Sequence, residues 1–483
     1  MSKFSVHNYL ILVGLMLVLE FVTYAQEVEA TIVISAETRS AQVDGRLAAD
    51  FAPVNPLNFY FRKAVTGNKK LGERISEVVL SGRSGPIAYK QLMPGEFLAD
   101  SEYRSWSYKA DISPVKDRTA AAHSSWVSGE RGIIFLDDLL PQIVGSDRSI
   151  SAKLTITLPQ GWKLFSSDSD PTKDSLIVRS VERSVISIGK DIRNTRIVGH
   201  AGPIDLNLSG NWLFSDEEAG AMVREIFDEY TRILGPLRNA RPSIAITGFP
   251  AKENPGNWEA ETRGQSVVIV SSDMPFKTQS QQRLHEQLRH EIFHLWFPNG
   301  VDLAGDYAWF YEGFALYQSL KTGVKLKRIR FDDFLDTLSR AHSIDAAERP
   351  RKPLAGPRAA AEIYARALLV AFLIDSDILG ETKGKEDSGN LLKRIFERAA
   401  GSPERIDATR LIRECIGSTT TLERFVFGNE NVDWSAELGH VGIVSTSSGR
   451  TTLLSVSQKL TGRQKQILRR LGYNNQRNIE TKR

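Results

Sequence analysis

The chain has 483 residues, more than one hydrophobic core ordinarily serves, so two or three domains are expected. Its 41% hydrophobic and 25% charged content is ordinary globular usage, which excludes a disordered or collagen-like chain, and a formal charge of +4 gives no case for nucleic-acid binding. The single cysteine, Cys415, excludes an internal disulfide; in its helical pattern it reads as a small buried hydrophobe, not a nucleophile.

At the N-terminus, Lys3 and His7 precede an apolar run over residues 9–19, and Thr23-Tyr24-Ala25 follows. This is the pattern of a secretory signal peptide, residues 1–25, cut after Ala25. Eleven apolar residues are short for a bilayer span, so an uncleaved N-terminal anchor is the lesser alternative and no other membrane contact is expected. A secreted chain without disulfides fits the bacterial periplasm best, so the expected location is periplasmic or secreted.

Short alternating or β-branched runs at 31–35, 154–158, 175–179 and 184–188 lie between Gly, Pro and Asp clusters. Residues 26–211 therefore read as a β-sandwich-like domain. Ser215-x-x-Glu218 is a capping box opening a helix to about 233, and strands follow at 243–247 and 267–271. Thr278-x-x-Gln281 then opens another helix, and helical periodicity returns at 331–343, 359–379, 391–400 and 408–417. The divisions expected are a mixed domain over 212–343, a helical region over 344–440 and a basic tail over 441–483. Within that tail, residues 459–483 hold eight Lys/Arg against one Glu, the composition of a solvated, partly ordered end.

The most informative stretch is His290-Glu291-Ile292-Phe293-His294. On a helix, residues four apart share a face, so both imidazoles point the same way. Together with a carboxylate from a neighbouring helix they make three ligands for a tetrahedral zinc, one per chain, with a fourth position open to water. Glu291, about 100° around the helix from His290, can reach that water as general base. No histidine follows until His342 and the last methionine is Met274, so a third histidine followed by a methionine turn is ruled out. Glu312, in the segment Trp309 to Leu320 that reads as helix, is the remaining third ligand.

His290 to Asn299, H-E-I-F-H-L-W-F-P-N, resembles the zinc helix of aminopeptidase N and its relatives, H-E-x-x-H-x-W-F-x-N. Glu312-Gly-Phe-Ala-Leu-Tyr317 resembles their E-G-F-A-x-Y helix. The stretch from Ile363 through Tyr364 to Asp375 resembles their Y-x-K-G helix, and its apolar run ending in Asp is closer to the glycyl aminopeptidase branch. The resemblance spans residues 242–428 and implies a gluzincin: an α+β multidomain protein with a thermolysin-like zinc catalytic domain and a C-terminal helical region. It implies that Tyr364 donates a hydrogen bond to the oxyanion of the tetrahedral intermediate. Two features depart from the pattern. Seventeen residues, one fewer than usual, separate His294 from Glu312, and Arg366-Ala367 replaces the Lys-Gly after the tyrosine. The PDZ module often found in the glycyl aminopeptidase branch is not expected, because about fifty residues follow Asp433.

An aminopeptidase also needs a carboxylate for the substrate's α-ammonium. The family's G-x-M-E-N motif is absent, and the corresponding stretch, Gly256 to Ser266, offers Glu259 and Glu261. His285, about 140° from His290, reads as a surface residue, and His123, His200, His342 and His440 as structural ones. Arg366 reads as an ion-pairing residue. The expected activity is zinc-dependent peptide hydrolysis on a peptide or small protein substrate, an aminopeptidase first and an endopeptidase second. A hydrolase of another bond on the same fold and a noncatalytic zinc-stabilised binding protein remain as alternatives.

Overall fold

The computed structural model describes residues 27–143, 150–168, 175–200, 202–238, 241–348, 352–356, 360–402, 404–417, 419–448 and 451–473. The expected signal peptide and the last ten residues of the basic tail lie outside them. The chain is a mixed α/β protein with several sheets and a helical C-terminal region.

In the N-terminal part, alternation dictates which side of each strand is covered. Val28–Ser35 buries Val28, Ala30 and Ile32 and turns Thr31 and Val33 outward. It sits inside a seven-stranded sheet, antiparallel to Ser40–Leu47 and parallel to Ala152–Thr157. A four-stranded sheet built on Arg131–Phe135 and Val185–Gly189 contributes Ile134, Ile186 and Ile188 to the same core. Two sheets thus share one apolar layer, which is why short alternating runs dominate this half of the sequence.

The second part is built on a five-stranded sheet. Its strands are β1 (Arg193–Gly199), β2 (Gly202–Leu208), β3 (Ser243–Gly248), β4 (Trp258–Arg263) and β5 (Ser266–Ser271), in the order β1-β2-β3-β5-β4. Helix α1 (Asp216–Leu234) crosses between the parallel strands β2 and β3, and Ser215 and Glu218 form its capping box, as the sequence indicates. Here the expected boundary at 211 is corrected: the β1–β2 hairpin belongs to this sheet, not to the β domain before it. Alternation within a hairpin is the same in either sheet, and only the parallel pairing of β2 with β3 decides its membership.

Helices α2 (Lys277–Phe293), α3 (Ala308–Lys325), α4 (Phe331–Ala347), α5 (Ala360–Glu381), α6 (Ser388–Ala400) and α7 (Ala408–Ile416) follow. Helix α2 starts at Lys277 after Phe276, without the side-chain cap expected at Thr278. Beyond them lie a hairpin of β6 (Ile443–Ser448) and β7 (Thr451–Val456) and helix α8 (Gly462–Arg470). All these elements pack into one continuous core that includes Ile443, Leu454, Ile467, Leu468 and Leu471. The helical region is therefore not a separate unit, and the stretch expected to be a solvated tail is ordered through Tyr473. Thr461 and Gln464 cap α8, and its apolar residues form one stripe within a basic composition.

A third, smaller core joins the two parts: Ala121, Ala122, Trp126, Ile133, Phe135 and Val185 pack against Val268 and Val270 of β5. Among the described residues no helix is long and apolar enough to cross a membrane. Cys415 is half-buried, with its sulfur 3.4 Å from Arg398.

Candidate active site

The last turn of α2, its C-cap residue His294 and the second turn of α3 bring His290, His294 and Glu312 together. One ligand atom from each lies within 4.8 Å of the others, the one such cluster among the described residues. The two Nε2 atoms are 3.2 Å apart, and Glu312 Oε2 is 3.6 Å from His290 Nε2 and 3.7 Å from His294 Nε2. Ligands on a tetrahedral zinc at ordinary bond lengths stand about 3.3 Å apart, so the triangle fits that ion. Glu312 Oε2 is buried with no protein hydrogen-bond partner, as an oxygen kept for a cation would be. His294 Nδ1 donates to the carbonyl of Phe297 at 2.8 Å, which orients the ring with Nε2 facing the triangle.

The electrostatics agree with a cation site. Burial pushes the Glu312 carboxyl up, but the facing imidazoles outweigh this and hold it below its ordinary value. Burial likewise opposes charge on His290, and the carboxylates of Glu312 and Glu291 outweigh it and raise its pKa. Packing fixes the helices behind these groups. Phe293 stacks on Phe297, whose ring meets Phe310 edge-on at 5.9 Å.

Glu291 is buried, and its Oε2 accepts a hydrogen bond from Thr262 Oγ1 on β4 at 2.8 Å. Asn299 ties the same two elements together. Its Nδ2 donates to the carbonyls of Thr262 (2.9 Å) and His294 (3.1 Å), and its Oδ1 accepts from Gly264 N (2.8 Å). Tyr364, on the second turn of α5, is 38% exposed. Partial desolvation of its phenol, with the nearby charges of Glu312 and Glu291, raises its pKa, so it stays a protonated donor.

Glu259 and Glu261 project from one face of edge strand β4, and neither is free. Glu261 lies 2.6 Å from His123 Nδ1 and 3.1 Å from Arg263 Nε, and Glu259 lies 3.7 Å from Arg118. Burial pushes the Glu261 carboxyl up, but His123 and Arg263 outweigh it and bring it down to about 2. Burial dominates at Glu259 and raises its pKa. The charge of Glu261 also contributes to the rise at Tyr364 and Tyr311.

Sequence reasoning missed Thr262, Arg263 and the pairing of His123. None has a motif spacing, and each comes into place only through the sheet edge or the domain interface. His285 is corrected: it is buried, 2.8 Å from Glu225, and it contacts Arg289, because α2 packs that face against α1. His200, His342 and His440 stand apart from the cluster, bonding to Asp228 and to the carbonyls of Val432 and Ser376. Arg366 does ion-pair, with Asp345 at 3.3 Å, and it also donates to the carbonyls of Phe425 and Glu430.

No protein-family profile matches the chain, and no curated protein does. Solved structures do. An aminopeptidase N family protein from Idiomarina loihiensis superposes with a TM-score of 0.70 at 12% identity, over 87% of this chain and 79% of its own. An M1 zinc metallopeptidase from Deinococcus radiodurans superposes with a TM-score of 0.54 at 15% identity, over 84% and 94%. The fold is thus that of M1-type metallopeptidases, and on it lies a two-histidine, one-glutamate cluster.

Proposed function

We propose that the chain is a zinc-dependent metallopeptidase, an aminopeptidase acting on peptides or small proteins, with one zinc per chain held by His290, His294 and Glu312. The observation that carries this reading is the convergence of the three donors around a buried Glu312 oxygen that no protein group satisfies. Zinc, when bound there, supplies Lewis-acid polarisation of a carbonyl and makes a water molecule more acidic.

The protein's own groups do the rest. Thr262 holds one oxygen of Glu291, so the second oxygen takes the proton of the attacking water and later delivers it to the leaving amine. Tyr364, protonated, donates a hydrogen bond to the oxyanion as it develops. In the described residues β4 pairs only with β5, and its open edge suits an extended peptide added as a further strand. Glu259 or Glu261 on that strand receives the α-ammonium. A noncatalytic zinc scaffold would need the three ligands alone; an oriented Glu291 argues for catalysis.

One observation favours a second reading, an endopeptidase on the same machinery: both candidate amine-binding carboxylates already face cations of the protein. The leader-like residues 1–25 support a periplasmic or secreted location. The test is metal analysis of purified protein followed by a screen of free and N-blocked aminoacyl-fluorogenic substrates, with and without chelator. Chelator-sensitive cleavage confined to free amines supports the aminopeptidase. Equal cleavage of both sets supports the endopeptidase, and no chelator-sensitive cleavage of any peptide refutes both.

A further inference from the structure

A cleft of about 460 Å³ opens between α1, the C-terminal end of α3, the start of α6 and the end of α8. It is separate from the metal cluster: Lys321 on its floor lies nine residues beyond Glu312, about 14 Å along the axis of α3. Six cationic side chains line it (Arg232, Lys321, Lys325, Lys393, Arg469 and Arg470) against two carboxylates, Glu229 and Asp387.

The carboxylates are already taken. Glu229 is held in a fork by Arg232 at 2.7 and 3.0 Å and receives Lys325 at 2.7 Å. Asp387 receives Lys321 at 3.2 Å, a cation it shares with the buried Asp375 at 2.9 Å, and it caps α6 through the amide of Gly389. Three cations remain. Lys393 meets only an exposed Glu397 at 3.8 Å, and Arg469 has no ion pair among the described residues. The guanidinium of Arg470 donates to the carbonyls of Gly384 (3.0 Å) and Lys385 (2.8 Å), which orient it without neutralising it.

Like charges gathered in a concavity repel one another and focus a positive potential there. An anion that enters removes that repulsion. The volume falls in the range of small-molecule pockets, and guanidinium and ammonium donors together suit phosphate oxygens. We infer that this cleft is a binding site for a small molecule carrying two or more phosphate charges, independent of the proposed peptidase activity.

The test is calorimetric titration of the full chain with pyrophosphate at constant ionic strength, in metal-loaded and metal-stripped protein, with citrate as a matched non-phosphate anion. The expected result is saturable binding of one pyrophosphate that survives metal stripping and exceeds citrate. The double variant Lys393→Ser/Arg469→Ser changes two exposed residues, and an unchanged melting curve would verify its fold. It should weaken binding about tenfold or more, because two charge-assisted contacts are lost. Absence of saturable binding, binding that disappears with the metal, equal affinity for citrate, or an unchanged affinity in the double variant would each overturn the inference.

Discussion

Gly313 lies directly after the proposed ligand Glu312, where α3 approaches the backbone of α5 at Ala367. A Cβ at this position would stand 2.5 Å from the carbonyl oxygen of Ala367 and 2.9 Å from its carbon. Carbon and carbonyl oxygen ordinarily approach to about 3.3 Å, so Gly313→Ala is short by about 0.8 Å. The obstacle is helix backbone and cannot rotate aside, so α3 must move relative to α5. Two effects oppose each other in stability. Alanine gains about 1 kcal/mol in helix propensity, and overpacking costs about 1–3 kcal/mol, for a net loss of roughly 0–2 kcal/mol. The metal site should suffer more, because ligand distances there tolerate only about 0.2 Å. Zinc affinity measured against a chromophoric chelator is expected to fall about 10–100-fold while far-ultraviolet circular dichroism is retained. Adding Ala367→Gly should rescue little of it, since that change relieves only the 3.1 Å contact with the methyl group and leaves the closer carbonyl in place. Wild-type zinc affinity in Gly313→Ala would refute the claim that this approach sets the position of Glu312.

Four further outcomes are expected. Purified protein should contain about one zinc per chain by elemental analysis; His294→Ala should lose it and Cys415→Ser should not, and stoichiometric zinc in a His290/His294 double variant would contradict the ligand set. Glu291→Gln should keep the metal and the fold yet lose activity by about 10²–10⁴-fold, and wild-type turnover in it would exclude this residue as the base. N-acetylation of a good substrate should suppress cleavage. Glu261→Ala should raise KM for free-amine substrates, and His123→Ala, by releasing Glu261, should lower it; a KM indifferent to both changes would remove that strand face from amine recognition. Finally, Glu261 titrates near 2 in the folded chain, against an ordinary 4.5, because His123 and Arg263 prefer its charged form. Its stabilisation is therefore complete above about 4.5 and is lost as pH falls toward 2, a contribution of up to about 3 kcal/mol. Urea midpoints taken at pH 5 and pH 2.5 should differ less in Glu261→Gln than in the wild type, and an identical difference would sink the assignment.

Much of the architecture is legible in the sequence because local rules decide it. The capping box at Ser215 and the periodicities behind α3 through α7 need no knowledge of the rest of the chain. The candidate metal-ligand cluster is legible for the same reason, since the four-residue spacing of two histidines on one helix is local geometry. What depends on pairing between distant segments is not. The β1–β2 hairpin looks the same whichever sheet it joins, and the stripe on α8 is hidden by its basic composition. His123 meets Glu261 across 138 residues, and Thr262 reaches Glu291 only because the β4 edge runs beside α2. His285 was misread because angular distance from a metal ligand says nothing about what packs on the other side of the helix.

The small core between Trp126 and Val270 has a consequence for how selectivity could change. The three candidate metal donors come from α3 and the C-terminal end of α2, whereas Arg118 and His123 reach the β4 carboxylates from the other side of that interface. On the proposed reading, chemistry and discrimination are thus encoded in separate stretches of the gene. Under the proposed function, drift in a six-residue turn at 118–123 would redraw which chain ends are accepted without touching the three candidate metal ligands or Glu291.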